Sequence, residues 1–426
     1  MEPHEPAASE GSAIPAQGAA GGWRAVAFAA ALWYFTSLVV LLGTTLGMEL
    51  LRPANPAEDV EVARGELLFR SDPQRFRLIA AEGYPAEISE RSPVAFFPAY
   101  PLLGRGVAWL TGSSIDAALI VTANAALVAA MIVFACYARL RSFEVAGKAP
   151  TAESRDAADY ALLALGLFPT GMFFRLPFTE SLFLALAVLG MYALLRDWPL
   201  WLAASIIGAA TAARPVGVAL LFSLALHVWD ASPRWTGRLL RAAVLLPLGG
   251  WGLAAFMAFQ YATYGDPFAF VDAHEEYRHR DPIPWHEEAL GLLTLEPIRA
   301  VYDPESDVYW ENMEPRVPPI FNLMFANPLY FLSAVGLTLL GWRKGWLNRD
   351  ELALAAGLLF IPYVARAYDM GMGAFGRFSA VVFPIYLVLG QLMARLPAAA
   401  AAALFALMAF LMGAYAALLA AGYLIY

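Results

Sequence analysis

Charge is scarce in this chain of 426 residues: Asp, Glu, Lys and Arg make up 15% of it, and only two lysines, Lys148 and Lys344, are present. No basic cluster exceeds three residues over a short turn, which excludes a nucleic-acid-binding surface. The single cysteine, Cys136, falls inside an apolar run, so no intramolecular disulfide can staple the loops. No internal repeat stands out, and this weighs against transporters built from repeated halves. There is no His-Glu-x-x-His, which removes the familiar zinc-protease reading. The first 23 residues lack a basic segment and a small-residue cleavage site. The first apolar run therefore reads as a retained anchor behind a disordered cytoplasmic tail, residues 1–23.

What is abundant is apolar length. Hydrophobic residues are 60% of the chain and the mean hydropathy is +0.57, outside the range of soluble globular composition. About 20 consecutive apolar residues cross a bilayer core. Counted that way, the sequence predicts an all-α polytopic membrane domain over 24–426 with about eleven transmembrane helices. They fall at 24–48, 115–138, 157–175, 178–195, 198–213, 215–230, 241–264, 323–342, 351–367, 378–394 and 398–426. The break at Arg214-Pro215 reads as a turn that could be re-entrant.

Basic residues orient the spans. With the N-terminus inside, Arg139, Arg141, Lys148, Arg155, Arg196, Arg234, Arg238, Arg241, Arg343, Lys344, Arg349 and Arg395 all share the cytoplasmic side. The opposite turns hold single arginines, Arg175, Arg214, Arg366 and Arg377, together with two long loops, 49–114 and 265–322. Those two outer loops are where a site is expected.

In the first loop, Leu67, Leu68, Phe76, Ile79 and Ala80 have the spacing of short amphipathic helices lying along the interface. Asp72-Pro73 fits a helix start, with Asp72 as the cap. Read alone, Asp72 caps a surface helix and Arg75 and Arg77 reach for headgroups. Glu180 stands one turn into an apolar helix, where a carboxylate is costly unless paired or wet. It reads equally as an ion pair with Arg175 or Arg214 and as a polar wall of a cavity. The outer arginines are either interface residues or phosphate ligands. In the second loop Asp266, Asp272, His274, Glu275, Glu276, His279 and His286 offer metal ligands, but the acidic run reads more readily as a solvated face. The aromatics Phe96, Phe97, Tyr100, Trp109, Trp285 and Trp310 form an interfacial belt or stack on a sugar or prenyl chain.

The order of short motifs adds a resemblance. Asp72, Ile79, Ala80, Gly83 and Tyr84, then Phe96-Phe97-Pro98-x-Tyr100-Pro101, resemble the first lumenal loop of the GT-C glycosyltransferases. The similarity is greatest to the PIG-V-like family, which includes GPI mannosyltransferase II and bacterial relatives. Ser71 and Phe76 stand where that family usually has Trp and Tyr. Further along, Phe168-Pro169-Thr170 with Pro177-Phe178-Thr179-Glu180-Ser181-Leu182-Phe183-Leu184, Ala213-Arg214-Pro215-x-Gly217, Gly265-Asp266-Pro267-x-Ala269-Phe270, and Gly376-Arg377-Phe378 with Phe383-Pro384 resemble its later motifs in the same order.

The resemblance implies a GT-C-type fold and transfer of a mannose-like sugar, with inversion, from a polyprenyl-phosphate donor to an acceptor hydroxyl. The acceptor would be a lipid, glycan or protein, reached at the extracytoplasmic face. It implies no metal and no cofactor; the partners are the donor, the acceptor and membrane lipids, with no nucleic acid. Asp72 is the expected base. Arg214, Arg377, Arg175 and Arg366 are the expected donor-phosphate ligands, since guanidinium forks match phosphate oxygens. Glu180, Tyr84, Phe97, Tyr100, Asp266 and His274 are expected around the sugar and acceptor. The Ala- and Arg-rich composition with two lysines suggests a high-GC bacterial source, hence the inner membrane. The alternative from another class is a lipid or solute transporter or flippase, with Glu180, Arg214 and Arg377 along its pathway.

Overall fold

In the computed structural model of the chain, residues 19–51, 66–89, 92–147, 152–231, 233–275, 277–313 and 317–423 are described. Most of the expected N-terminal tail lies outside them. Among the described residues the chain is helical and no strand occurs. In chain order the helices are α1 Ala19–Leu50, α2 Asp72–Ala81, α3 Ala99–Thr111, α4 Ile115–Ala146, α5 Ala152–Leu167, α6 Glu180–Leu195 and α7 Leu200–Ala213. Next come α8 Leu220–Asp230, α9 Trp235–Gly249, α10 Trp251–Tyr264, α11 Ala269–Glu275, α12 Trp285–Leu293, α13 Glu296–Ala300 and α14 Trp310–Met313. The last are α15 Leu323–Lys344, α16 Arg349–Arg366, α17 Phe375–Ala380, α18 Pro384–Met393 and α19 Ala398–Ala420.

All eleven apolar runs fall on helical segments, but they differ in length. Among the described residues α1, α4, α15 and α19 are long and apolar enough to cross a bilayer, and α9 with α10 makes a fifth if the bent pair is one span. That pair turns through 61°, where Pro247 and the Gly249-Gly250 pair break the regular ladder. Two of the other runs include 3-10 turns. The run 157–175 leaves its helix at Leu167 and continues as a 3-10 turn, Pro169–Phe174. At Arg214 the chain is extended (φ −153°, ψ 143°) before a second such turn, Pro215–Ala219.

Helix ends are marked by ordinary chemistry. The Ser114 hydroxyl accepts from the Ala117 amide at the start of α4, and Gly147 closes that helix in the left-handed region. Asn348 and Glu351 form a reciprocal capping box on α16. Packing uses small residues where backbones meet. A Cβ on Gly43 would come to 2.3 Å from the Gly413 carbonyl oxygen, so α1 and α19 can approach closely only with glycine there.

Helices α4 and α16 run between the same two ends of the molecule. At one end Asp116 of α4 pairs with Arg77 at 3.4 Å. At the other, the Arg141 Nε of α4 meets the buried Glu351 of α16 at 2.7 Å, and Tyr137 donates to the same carboxylate at 2.7 Å. The 25 residues from Asp116 to Arg141 span roughly 38 Å of helix. The C-terminus of α16, carrying Arg366, therefore lies at the end that holds both long loops. The loops pack on one another there: Val94 and Ala95 of the first against Ala269 and Ala273 of the second.

Candidate active site

Four charged side chains from four separate motifs meet at the loop end. The Arg377 Nη1 lies 2.7 Å from the Asp72 Oδ2, and its Nε lies 3.1 Å from the Glu180 Oε1. The Arg214 Nη1 reaches the same Glu180 oxygen at 2.5 Å. Asp72 is half-buried, Arg377 nearly buried, and the Glu180 side chain only 2% exposed. A carboxylate so deep needs cations, and two guanidiniums supply them. Neither contact to Glu180 is aligned as a hydrogen bond, so charge rather than bond direction holds them.

Local structure explains how each group arrives. The sequence makes Asp72 a helix cap; the structure corrects this. Ser71 occupies the cap position of α2 at φ +61°, and Asp72 is the first helical residue, its carboxylate spent on Arg377 rather than on its own helix. A non-glycine residue at positive φ is strained, and such strain gathers where a neighbouring side chain must be aimed. Pro73, Phe76, Ile79 and Ala80 are the buried residues of α2, Phe76 and Ile79 on the same face as Asp72, with Phe76 edge-on to Phe96 and Tyr100 at 5.3 and 5.4 Å. Glu180 opens α6, where the helix N-terminus favours a negative charge.

Arg377 is held by groups to which the sequence analysis assigned no role, although Thr170, Phe178, Gly376 and Phe378 stand inside its motifs. Its guanidinium carbon stands 5.1 Å from the Phe178 ring centre and 5.7 Å from those of Phe173 and Phe378. Aromatic faces stabilise a cation without competing for its donors. The preceding Gly376 is clamped: its amide donates to the Asn327 Oδ1 at 2.9 Å, and its carbonyl accepts from the Thr170 hydroxyl at 2.8 Å. The available signal was a buried asparagine in the apolar α15. A Cβ on Gly376 would lie 2.8 Å from the Asn327 Oδ1 and 3.0 Å from the Thr170 methyl. Gly376→Ala should therefore destabilise the protein by about 1–3 kcal/mol, seen as a lower melting temperature in detergent. An unchanged melting temperature would show that the clamp yields freely.

The other expected residues divide. Tyr100 is fully buried and donates to the Leu119 carbonyl at 2.8 Å; burial, then the negative Glu180, push its phenol up. Tyr84 donates to the Phe96 carbonyl at 2.6 Å, and its ring packs on Phe256 and Phe259. Phe97 is buried against Phe256 and Phe270. These three spend themselves on tying the first loop to α4, α10 and α11. Asp266 accepts from the Phe268 amide at 2.9 Å and shapes the turn into α11. Arg175 is not brought to the cluster. Its guanidinium donates to the Gly171 and Gly166 carbonyls and to the Thr36 hydroxyl of α1.

Arg366 and His274 flank the cluster. Asp369, the nearby acid, is taken by Arg278 at 3.2 Å, which leaves Arg366 without an ion-pair partner among the described residues. The charges of Arg366 and Asp72 both bear on His274, which lies on α11 in the second loop. The His274 Nδ1–H donates to the Phe270 carbonyl at 2.7 Å, which leaves Nε2 as an acceptor in the neutral ring. Burial, then Arg366, depress the imidazole from an ordinary 6.5 to about 4. Between those values the unfolded chain binds a proton that the folded chain does not, so stability is lost as pH falls from about 6.5 to about 4. His274→Gln should flatten that part of a melting-temperature profile. A mutant profile as steep as the wild type's would assign the acid sensitivity to other groups.

Further out, Arg280 bridges Glu296 at 2.9 Å and Asp307 at 3.3 Å and lies 4.1 Å over the Tyr368 ring. These contacts fasten the second loop to the segment that leads into Arg377. A cleft of about 490 Å³ opens beside Arg280, Glu296, Arg299, Asp303 and Asp307, none of them from the Asp72 cluster. Among the described residues no group of three or more His, Cys, Asp or Glu is placed to hold a metal ion.

No family model matches the chain, and no curated protein does. Solved structures do show likeness. An oligosaccharyltransferase from Archaeoglobus fulgidus in the apo form matches with a TM-score of 0.44 and 14% identity, over 91% of this chain and 56% of that one. The archaeal oligosaccharyltransferase AglB from the same organism, in complex with an inhibitory peptide and a dolichol-phosphate, matches at 0.38 and 13%, over 91% and 56%. ArnT from Cupriavidus metallidurans, bound to undecaprenyl phosphate, matches at 0.30 and 13%, over 88% and 79%. The chain spans about half the length of the oligosaccharyltransferases it matches. Scores and identities this low assign no activity.

Proposed function

We propose that the chain is a GT-C-type membrane glycosyltransferase that moves a mannose-like sugar from a polyprenyl-phosphate donor to an acceptor hydroxyl at the extracytoplasmic face, with inversion. The acceptor is a lipid, glycan or protein. The observation that carries this reading is the meeting of Asp72, Arg377, Glu180 and Arg214, drawn from four motifs spread over 305 residues. Their order along the chain resembles that of the PIG-V-like family.

The chemistry follows from the groups. A hydroxyl oxygen attacks the anomeric carbon as the bond from that carbon to the phosphate oxygen breaks, and the electron pair leaves with the polyprenyl phosphate. Asp72 takes the proton of the attacking hydroxyl. Arg377, Arg214 and Arg366 receive the charge growing on the phosphate, which needs no second acid because a lipid phosphate already leaves well. A single displacement with one base inverts the anomeric centre. The neutral His274 Nε2 can accept a hydrogen bond from a sugar or acceptor hydroxyl beside Arg366. The bacterial inner membrane is the proposed setting, and a flippase is the competing reading. Purified protein titrated with a polyprenyl phosphate and with the matching neutral polyprenol tests the donor site. The proposal expects the phosphate to bind at least about tenfold more tightly, a difference of 1.4 kcal/mol. Equal affinities would remove the donor-phosphate site.

A further inference from the structure

Arg377 cannot serve Asp72 and a donor phosphate in the same way at once. Its Nη1 is committed to the Asp72 Oδ2 at 2.7 Å, and while it stays there neither that oxygen nor that N–H is open to a substrate. Its Nε, on the opposite side of the guanidinium, faces the Glu180 Oε1 at 3.1 Å. Glu180 is fixed far more firmly than Asp72. It starts α6, is buried among packed helices, and shares the same oxygen with Arg214 at 2.5 Å. Asp72, by contrast, is 25% exposed. The Arg377 fork therefore has one permanent end and one exchangeable end.

We infer that Glu180 is a positioning residue: it holds Arg377 by Nε so that Nη1 can pass from Asp72 to the donor phosphate, and this exchange frees Asp72 to act as the base. The inference rests on the donor reading above and goes beyond it by assigning Glu180 a task other than lining a sugar pocket. No covalent step is involved, because one ion pair is traded for another. Phosphate can compete with a carboxylate for a guanidinium: the donor phosphodiester carries a full charge on two unesterified oxygens that match the fork, and the departing polyprenyl phosphate gains more. Two consequences follow. The donor binds before the acceptor can react, and Asp72 opposes donor binding until it is displaced. Asp72 and Glu180 both meet Arg377, so an energetic coupling between them reports on that residue.

The test is a double-mutant cycle read on the affinity for a short-chain polyprenyl phosphate, with the full-length protein in detergent. Asp72→Asn removes the competing carboxylate and should tighten binding about tenfold, within the range of couplings between contacting charges. Glu180→Gln should weaken binding although it makes the site more positive; a purely electrostatic role for Glu180 would tighten it. In the Glu180→Gln background the gain from Asp72→Asn should vanish. If Glu180→Gln does not yield folded protein, Glu180→Asp keeps the charge one methylene short and should give the same pattern to a smaller degree. An equal gain from Asp72→Asn in both backgrounds would overturn the positioning role, and no gain in the wild-type background would overturn the exchange. Failure of the wild type to bind polyprenyl phosphate at all would instead remove the donor reading, and the exchange with it.

Discussion

Asp72→Asn should abolish sugar transfer while leaving the protein folded. The amide keeps the shape of the carboxylate but cannot take a proton, and loss of a positioned base costs about 10² to 10⁴ in rate. The half-buried position of Asp72 on the first turn of α2 limits the structural cost. The backbone there is set by Ser71 and by the burial of Phe76 and Ile79, not by the carboxylate. The mutant should therefore melt within a few degrees of wild type and still bind polyprenyl phosphate. Near-normal turnover would make Asp72 a fastener for Arg377 and nothing more.

Arg377→Ala should be costly in two ways. It removes a phosphate ligand, expected to slow the chemical step by about 10² to 10³ as other lost transition-state donors do. It also leaves Glu180 with Arg214 as its one remaining cation among the described residues, and breaking a buried pair typically costs about 3–5 kcal/mol. Arg377→Lys separates the two effects. Lysine retains the charge that Glu180 needs but loses the fork that could serve Glu180 and phosphate together. The lysine variant should recover most of the stability and little of the rate. If it recovered both, a point charge would suffice and the two-ended grip on Arg377 would be unnecessary.

Much of this could be read from the sequence, for a physical reason. Glu180, Arg214 and Arg377 are ionisable residues in or beside apolar runs, where charge is expensive and so signals partners, and Asp72 stands in an ordered loop motif. Which partner each one takes was not legible. Glu180 could have joined Arg175, five residues before it; instead the 3-10 turn at Pro169–Phe174 directs Arg175 toward Thr36 and two carbonyls. Pairing across 305 residues depends on how helices cross, which local pattern does not record. Tyr84 and Phe97 show the same limit. Aromatic residues in a loop motif look available for a sugar, and here the Tyr84 hydroxyl ties the loop to itself at Phe96 while the rings close it onto α10 and α11. The Asn327 and Thr170 clamp on Gly376 was missed because an amide and a hydroxyl in apolar surroundings look ordinary until the backbone they serve is placed. Where an apolar run leaves its helix was not legible either, as at the 3-10 turn Pro169–Phe174 inside the run 157–175.

Turnover of a labelled polyprenyl-phosphate sugar is the most direct test. Purified wild type and Asp72→Asn, side by side in detergent, would be given a panel of polyprenyl-phosphate sugars, mannose among them, and loss of donor followed by hydrolysis or transfer. The proposed chemistry predicts that the wild type consumes at least one donor and that the mutant consumes it at about one hundredth of the rate or less. A wild type that consumes none of them, or a mutant that keeps pace, would contradict it.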